Sequence, residues 1–269
     1  ELGDENGSVV AITAAMPDGT GLVEFSGRYP DRVFDVGIAE QHAITLACGL
    51  AFGGLRPVAA IYSTFMQRAM DQLIHDAALQ EAPIVVAMDR GGVVGEDGPT
   101  HHGVFDISMF ITVPNVRLGA PRNCALLEMM LRRSVEFSRG PTLLRYPRGE
   151  EPGTPSAAPL SVEPGSGQLL REGGDVLIIG AGTMALHALE AAAILETRGI
   201  SAAVYDPIWL KPAPEDEMTR LAEGRRMVAV VEEGSVIGGF GCQVAALLGG
   251  RTRVLRLGIP DRFQPHACR

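Results

Sequence analysis

The sequence predicts an α/β protein of two domains, each built on a mainly parallel sheet. Three observations carry that expectation. Short apolar runs alternate with stretches of helical period along nearly the whole chain. After about Pro147 a segment rich in Pro, Gly and Ser, without apolar periodicity, interrupts the pattern until Gly167. The length of 269 residues, 46% hydrophobic and 20% charged, is enough for two domains of ordinary size, each with its own core. The expected boundaries are a first domain over 1–150, a linker over 151–167 and a smaller second domain over 168–269.

In the first domain, Val9–Thr13, Arg32–Val36, Val58–Ile61, Ile84–Met88, Val116–Gly119 and Leu143–Tyr146 are expected strands, too short and too apolar for surface helices. Between them, Gln41–Phe52, Thr64–Leu79 and Asn123–Glu136 are expected helices. In the second domain the strands are Val176–Ile179, Ala202–Asp206, Met227–Glu232 and Val254–Leu257. Its helices are Met184–Arg198, Pro214–Glu223 and Gly241–Leu248.

Bulk properties narrow the function. A net charge of −9 argues against a non-specific nucleic-acid binder and against a basic membrane-facing surface. No apolar run approaches the ~20 residues of a membrane span, and no signal peptide is visible. Cys48, Cys124, Cys242 and Cys268 are scattered, without a C-x-x-C pair, and are expected to be buried small hydrophobes of a reducing compartment rather than a disulfide frame or zinc site.

The most informative segment is Asp35-Val-Gly-Ile-Ala-Glu-Gln-His42. Glu40 follows Ile38 and Ala39 and precedes a helix of small residues. A carboxyl in that setting is expected to be partly desolvated, its pKa raised, and able to share a proton with a heterocyclic nitrogen. The bland alternative is a helix-start carboxylate serving as cap or dipole partner.

The octapeptide has company. Together with Val10–Leu22, Ala60–Gln72, His75–Gln80, Asp89–Asp106 and Arg145–Gly149, it resembles the 1-deoxy-D-xylulose-5-phosphate synthases, relatives of transketolase. The resemblance runs through nearly the whole chain. It implies two three-layer α/β domains, a thiamine diphosphate-binding pyrimidine domain and a transketolase C-terminal domain. It implies a transferase that joins pyruvate to glyceraldehyde 3-phosphate with loss of carbon dioxide, on the way to isoprenoids and thiamine. It further implies a cytoplasmic homodimer that uses thiamine diphosphate and Mg²⁺. The G-D-G segment with a downstream Asn, which anchors the diphosphate through Mg²⁺ in such enzymes, has no counterpart here. The expectation is therefore a fragment lacking the N-terminal domain, inactive alone. The alternative is a non-catalytic fragment or subunit offering half of a cofactor site.

Residue by residue, the resemblance gives Glu40 the bond to the pyrimidine ring, and hence cofactor activation. Phe65 becomes the stacking partner of that ring, and Tyr62 and Arg68 line the cavity. Taken alone, Phe65 reads as readily as core packing. Arg90 and Arg148 are the expected phosphate readers, because guanidinium groups bind phosphate bidentately; a lone loop arginine otherwise reads as a solvated charge. His101 would shuttle protons, and Asp97 would orient the sugar hydroxyls or the histidine. His102 is the lesser member of that group. His42 reads as structural, the role of His266 is open, and Asp71, His75 and Asp76 read as helix and interface hydrogen-bonders rather than metal ligands.

A rival reading sits in the second half. Gly180-Ala-Gly-Thr-Met-Ala185 follows a strand and opens a helix, and Asp206 ends the next strand, as in an NAD(P)-binding oxidoreductase domain. The alternative is a tight turn that needs glycine for backbone reasons.

Overall fold

The computed structural model describes residues 1–149 and 161–266. Most of the expected linker, and Cys268, lie outside the described residues.

The strands are β1 (Val9–Thr13), β2 (Val33–Asp35), β3 (Arg56–Tyr62), β4 (Val85–Asp89), β5 (Arg117–Gly119), β6 (Thr142–Arg145), β7 (Gln168–Arg171), β8 (Val176–Gly180), β9 (Ala202–Asp206), β10 (Trp209–Lys211), β11 (Met227–Ser235) and β12 (Val254–Ile259). The α-helices are α1 (Leu2–Glu5), α2 (Val23–Arg28), α3 (Glu40–Phe52), α4 (Met70–Gln72), α5 (Asp106–Phe110), α6 (Cys124–Ser134), α7 (Met184–Glu196), α8 (Glu215–Ala222) and α9 (Phe240–Leu248).

Two sheets organise the described residues, a seven-stranded one in the order β10-β5-β6-β4-β3-β1-β2 and a five-stranded one in the order β12-β11-β8-β9-β7. All pairings are parallel except β10 with β5 and β7 with β9. The α/β class and mainly parallel sheets expected from the sequence are thus found. Strands covered on both faces must be apolar throughout, and β1 and β6 are buried at every position. Helix α3 lays Ala43, Ile44, Ala47 and Ala51 into the core. Its small residues therefore pack inside this chain's own core.

Three local outcomes differ from expectation. The predicted helix Thr64–Leu79 is a 3₁₀ run (Ser63–Ala69), one α turn and a π run (Leu73–Ala78). An overwound start buries Ser63, Met66 and Ala69 at intervals of three, and the wide π turn then brings Leu73, Ala77 and Ala78 to the same core. Averaged along the segment, that looks like an ordinary helical period. Second, β10 comes from the second half of the chain yet pairs with β5 at the edge of the first sheet. Trp209 anchors it, fully buried, with Nε1 donating to the Val162 carbonyl at 3.1 Å. Third, β7 is an additional antiparallel strand at the edge of the second sheet.

Candidate active site

The site begins at the first turn of α3. Glu40 is 1% exposed, and Nη1 of Arg68 lies 2.9 Å from both of its carboxylate oxygens. The expected burial is there, but Ile38 does not provide it, since Ile38 is 78% exposed. The Arg68 side chain is itself half exposed. A buried carboxylate thus reaches the surface only through its partner.

The 3₁₀ run explains how the neighbouring groups align. At three residues per turn, side chains at i and i+3 eclipse, so Tyr62, Phe65 and Arg68 stand one above another. The Tyr62 and Phe65 rings stack at 5.6 Å with 20° between planes, and the Arg68 guanidinium lies 5.5 Å from the Phe65 centroid. From the other side, Arg90 lies over Tyr62 at 3.7 Å. His101 meets the Phe65 ring edge-on at 5.4 Å.

Arg90 leaves the end of β4 with a φ of 61°, which turns the chain into a glycine-rich loop. In that loop Asp97 accepts from Arg148 at 2.7 Å and from Arg90 at 3.5 Å. Burial works against ionisation of Asp97, but Arg148 and Arg90 outweigh it and hold the carboxyl below its ordinary range. Beside them, desolvation raises the pKa of Asp89, with Arg90 opposing it, and desolvation also raises that of the Tyr62 phenol. His101 shares a 2.8 Å hydrogen bond between Nδ1 and Thr100 Oγ1. The structure therefore brings all eight expected site residues, Glu40, Arg68, Phe65, Tyr62, His101, Arg90, Asp97 and Arg148, into one unbroken chain of contacts.

Two cavities flank this chain. One, of about 520 Å³, is lined by Phe65, Arg68, Thr100, His102, Phe105 and Phe263 among others. The other, of about 510 Å³, is lined by Asp18, Asp89, Arg90, Tyr146, Arg148 and Thr183 among others. Asp89 and Tyr146 were not expected from the sequence; their adjacency to Arg90 and Arg148 was the available signal.

The remaining polar residues sort themselves by environment. His102 is 4% exposed, and its Nδ1 accepts the Val94 N–H at 3.1 Å, so the neutral ring carries its proton on Nε2, which has no hydrogen-bond partner among the described residues. His42 is exposed. His75 pairs with Asp71 at 2.8 Å, and Asp76 accepts from Thr45 at 2.6 Å. Among the described residues, no group of three or more His, Cys, Asp or Glu side chains could hold a metal ion. The ring of His266 lies beside Gly98, where an added Cβ would stand 3.2 Å from its Cδ2.

The dinucleotide fingerprint finds a structural use. A Cβ on Gly180 would stand 2.5 Å from the Ala185 backbone, so glycine lets α7 pack against its strand. Asp206, the would-be ribose acid, is fully buried and salt-bridged to Arg122 at 2.7 Å, while its other oxygen accepts the Ile208 N–H at 2.8 Å. With 0% exposure, that carboxylate presents no surface to a ribose.

Comparison with known proteins gives the family. Residues 1–153 match the family described as transketolase, pyrimidine binding domain, and residues 165–269 match transketolase, C-terminal domain. The chain belongs to the transketolase family. Within it, the similarity is to 1-deoxy-D-xylulose-5-phosphate synthases, as the sequence motifs suggested. Identity is 49% over 276 residues with the enzyme of Gloeobacter violaceus (100% of this chain, 43% of that protein). It is 51% over 271 residues with that of Thermomicrobium roseum (99% and 43%). It is 52% over 268 residues with synthase 1 of Geobacter sulfurreducens (98% and 42%). The chain spans about 43% of the length of the curated relatives it matches. A solved structure described as a split gene transketolase, inactive beta4 tetramer, matches with a TM-score of 0.87 and 31% identity, covering 97% of this chain and 86% of that one. Among the described residues no helix is long and apolar enough to cross a membrane.

Proposed function

We propose that this chain supplies the pyrimidine side of the site in a thiamine diphosphate-dependent transferase. That enzyme would condense pyruvate with glyceraldehyde 3-phosphate, release carbon dioxide and form 1-deoxy-D-xylulose 5-phosphate. The carrying observation is Glu40, a carboxylate 1% exposed at a helix start and set beside an aromatic ladder that borders a cavity.

The residues fit the cofactor's flat end. A buried acid can bond a ring nitrogen, and the Phe65 face offers stacking. Close packing of Tyr62 on Gly19, where a Cβ would stand within 1.7 Å of the phenol oxygen, fixes the ring next to it. Glu40 would hold a proton at the pyrimidine nitrogen, with Arg68 keeping the carboxylate in place. When bound, thiamine diphosphate supplies the carbanion chemistry. The diphosphate and Mg²⁺ would be held mainly by residues outside this chain. His101 would move protons at the carbonyl and hydroxyl oxygens of the substrates. Arg90 and Arg148 would bind the aldehyde's phosphate, and Asp97 would orient both guanidinium groups between turnovers.

The intact enzyme is proposed to be a cytoplasmic homodimer, and a monomer by light scattering would count against that part. The two domains are proposed to fall at 1–150 and 168–269, with β10 exchanged into the first sheet.

A second reading has support from two observations. The chain spans about 43% of its relatives, and its structural neighbour is described as an inactive form of a split gene transketolase. On that reading the chain alone is a half-site awaiting the diphosphate-binding part. Incubation with thiamine diphosphate, Mg²⁺, pyruvate and glyceraldehyde 3-phosphate tests each reading separately. We expect carbon dioxide and the five-carbon phosphate from the chain joined with that missing part, and none from the chain alone. Release by the chain alone would overturn the half-site reading; no product from the joined enzyme would overturn the transferase reading.

A further inference from the structure

The loop that carries Asp97 and His101 is closed at its base by two hydrogen bonds, Gly92 N to Gly103 O and Gly103 N to Gly92 O, both 2.8 Å. Such a closure fixes the ends of a loop but not its direction of exit. The direction is set from the other half of the chain. Glu233, on β11, accepts the Val93 N–H on Oε1 at 3.0 Å. Its side chain fills the space over Gly92, where a Cβ would stand 2.4 Å from the Glu233 carboxyl carbon, and Gly92 has a φ of 89°. The Glu233 backbone is held in turn: its carbonyl accepts from buried Arg145 at 3.2 Å, and Arg145 pairs with buried Asp106 at 2.7 Å. Two residues on, Ser235 N donates to the Val104 carbonyl at 2.8 Å, just past the loop.

We infer that Glu233 is a positioning residue: it sets the exit of the 93–102 loop and so the placement of Asp97 and His101 against Arg90, Arg148 and Phe65. The C-terminal half thereby takes part in the site without touching substrate. A charged acceptor on a backbone N–H at the mouth of a loop is a strong and directional tether. Glycine at 92 is the residue that leaves room for it. This inference rests on the roles given above to Asp97 and His101.

The test uses the complete enzyme, this chain together with the diphosphate-binding part, in three forms: wild type, Glu233→Ala and Glu233→Gln. Hydrogen exchange of the 93–102 amides is the first readout. In Glu233→Ala it should quicken by about tenfold, while β4 and β11 amides keep their rates. KM for glyceraldehyde 3-phosphate should rise by a similar factor of about ten, with KM for pyruvate and cofactor binding within about twofold. Glu233→Gln keeps an oxygen for the Val93 N–H and should recover most of both effects. Unchanged loop exchange in Glu233→Ala overturns the inference, and so does faster exchange spread evenly over β4 and β11, which is loss of stability alone. Should the wild type make no product, the transferase reading fails, and the exchange result still decides the role of Glu233.

Discussion

Asp206 and Glu40 are both buried carboxylates held by arginines, and the difference between their surroundings separates architecture from chemistry. Asp206 and Arg122 are each 0% exposed. Arg122 bonds Asp206 through Nη1 and Gln168 through Nη2, at 2.7 Å each, and Asp206 takes a backbone N–H on its second oxygen. The pair is sealed, and it ties the loop after β5 to β7 and β9 of the other sheet. Glu40 is as deeply buried, but its arginine is half exposed to solvent. One pair lies wholly inside the fold; the other joins a buried acid to a partner that reaches solvent.

Breaking the sealed pair should give the largest effect on stability. Arg122→Met strands a buried carboxylate and should cost about 3–5 kcal/mol in denaturant unfolding. Its pH dependence sharpens the point. Burial pushes the Asp206 pKa up to about 6 from an ordinary 3.8, with Arg122 pulling it back. A pKa raised on folding contributes stability that is present below the unfolded value and lost as pH rises through the folded one. Without Arg122 the carboxyl is pushed higher still. The deficit of the variant should therefore be larger at about pH 7.5 than at about pH 4.5. A deficit that is flat with pH would argue that the cost comes from packing and not from the stranded charge.

On the open side, the expected changes are in function. Arg90→Lys keeps a positive charge but gives up the planar fork over Tyr62, so KM for the phosphorylated aldehyde should rise about tenfold in the complete enzyme. An unchanged KM would remove Arg90 from phosphate recognition. The smallest expected effect is that of Phe65→Leu, which keeps an apolar side chain and loses the aromatic face. Cofactor affinity should fall by about 1 kcal/mol, read by calorimetry. No change would return Phe65 to the core-packing reading.

Much of this contrast was legible in the sequence, for a physical reason. Central parallel strands such as β1 and β4 must be apolar on both faces, so their runs stand out. Glu40 stands out because a carboxylate so close to a buried small-residue helix needs a purpose. What the sequence hid was pairing at a distance. Asp206 completes a dinucleotide fingerprint on paper, and only the fold reveals that Arg122, 84 positions away, occupies it. Trp209 sits in the second half of the sequence but in the first sheet of the structure, because edge strands are exchanged by geometry that no local period records. The stacking of Phe65 and Arg68 on Tyr62 is hidden inside an expected helix over Thr64–Leu79, since a 3₁₀ run followed by a π turn averages to the usual period. Glu233 carried no local signal at all; its partner Val93 lies 140 residues away.

The most direct test is the exchange of the thiazolium C2 proton of thiamine diphosphate for deuterium on the complete enzyme, compared between wild type and Glu40→Gln. Stability should change by less than about 1 kcal/mol, because half-exposed Arg68 can turn to water. The C2 exchange rate should fall by about 10²-fold or more, as the proton at the pyrimidine ring is lost. An exchange rate equal to that of the wild type, with the cofactor bound, would contradict the role given to Glu40.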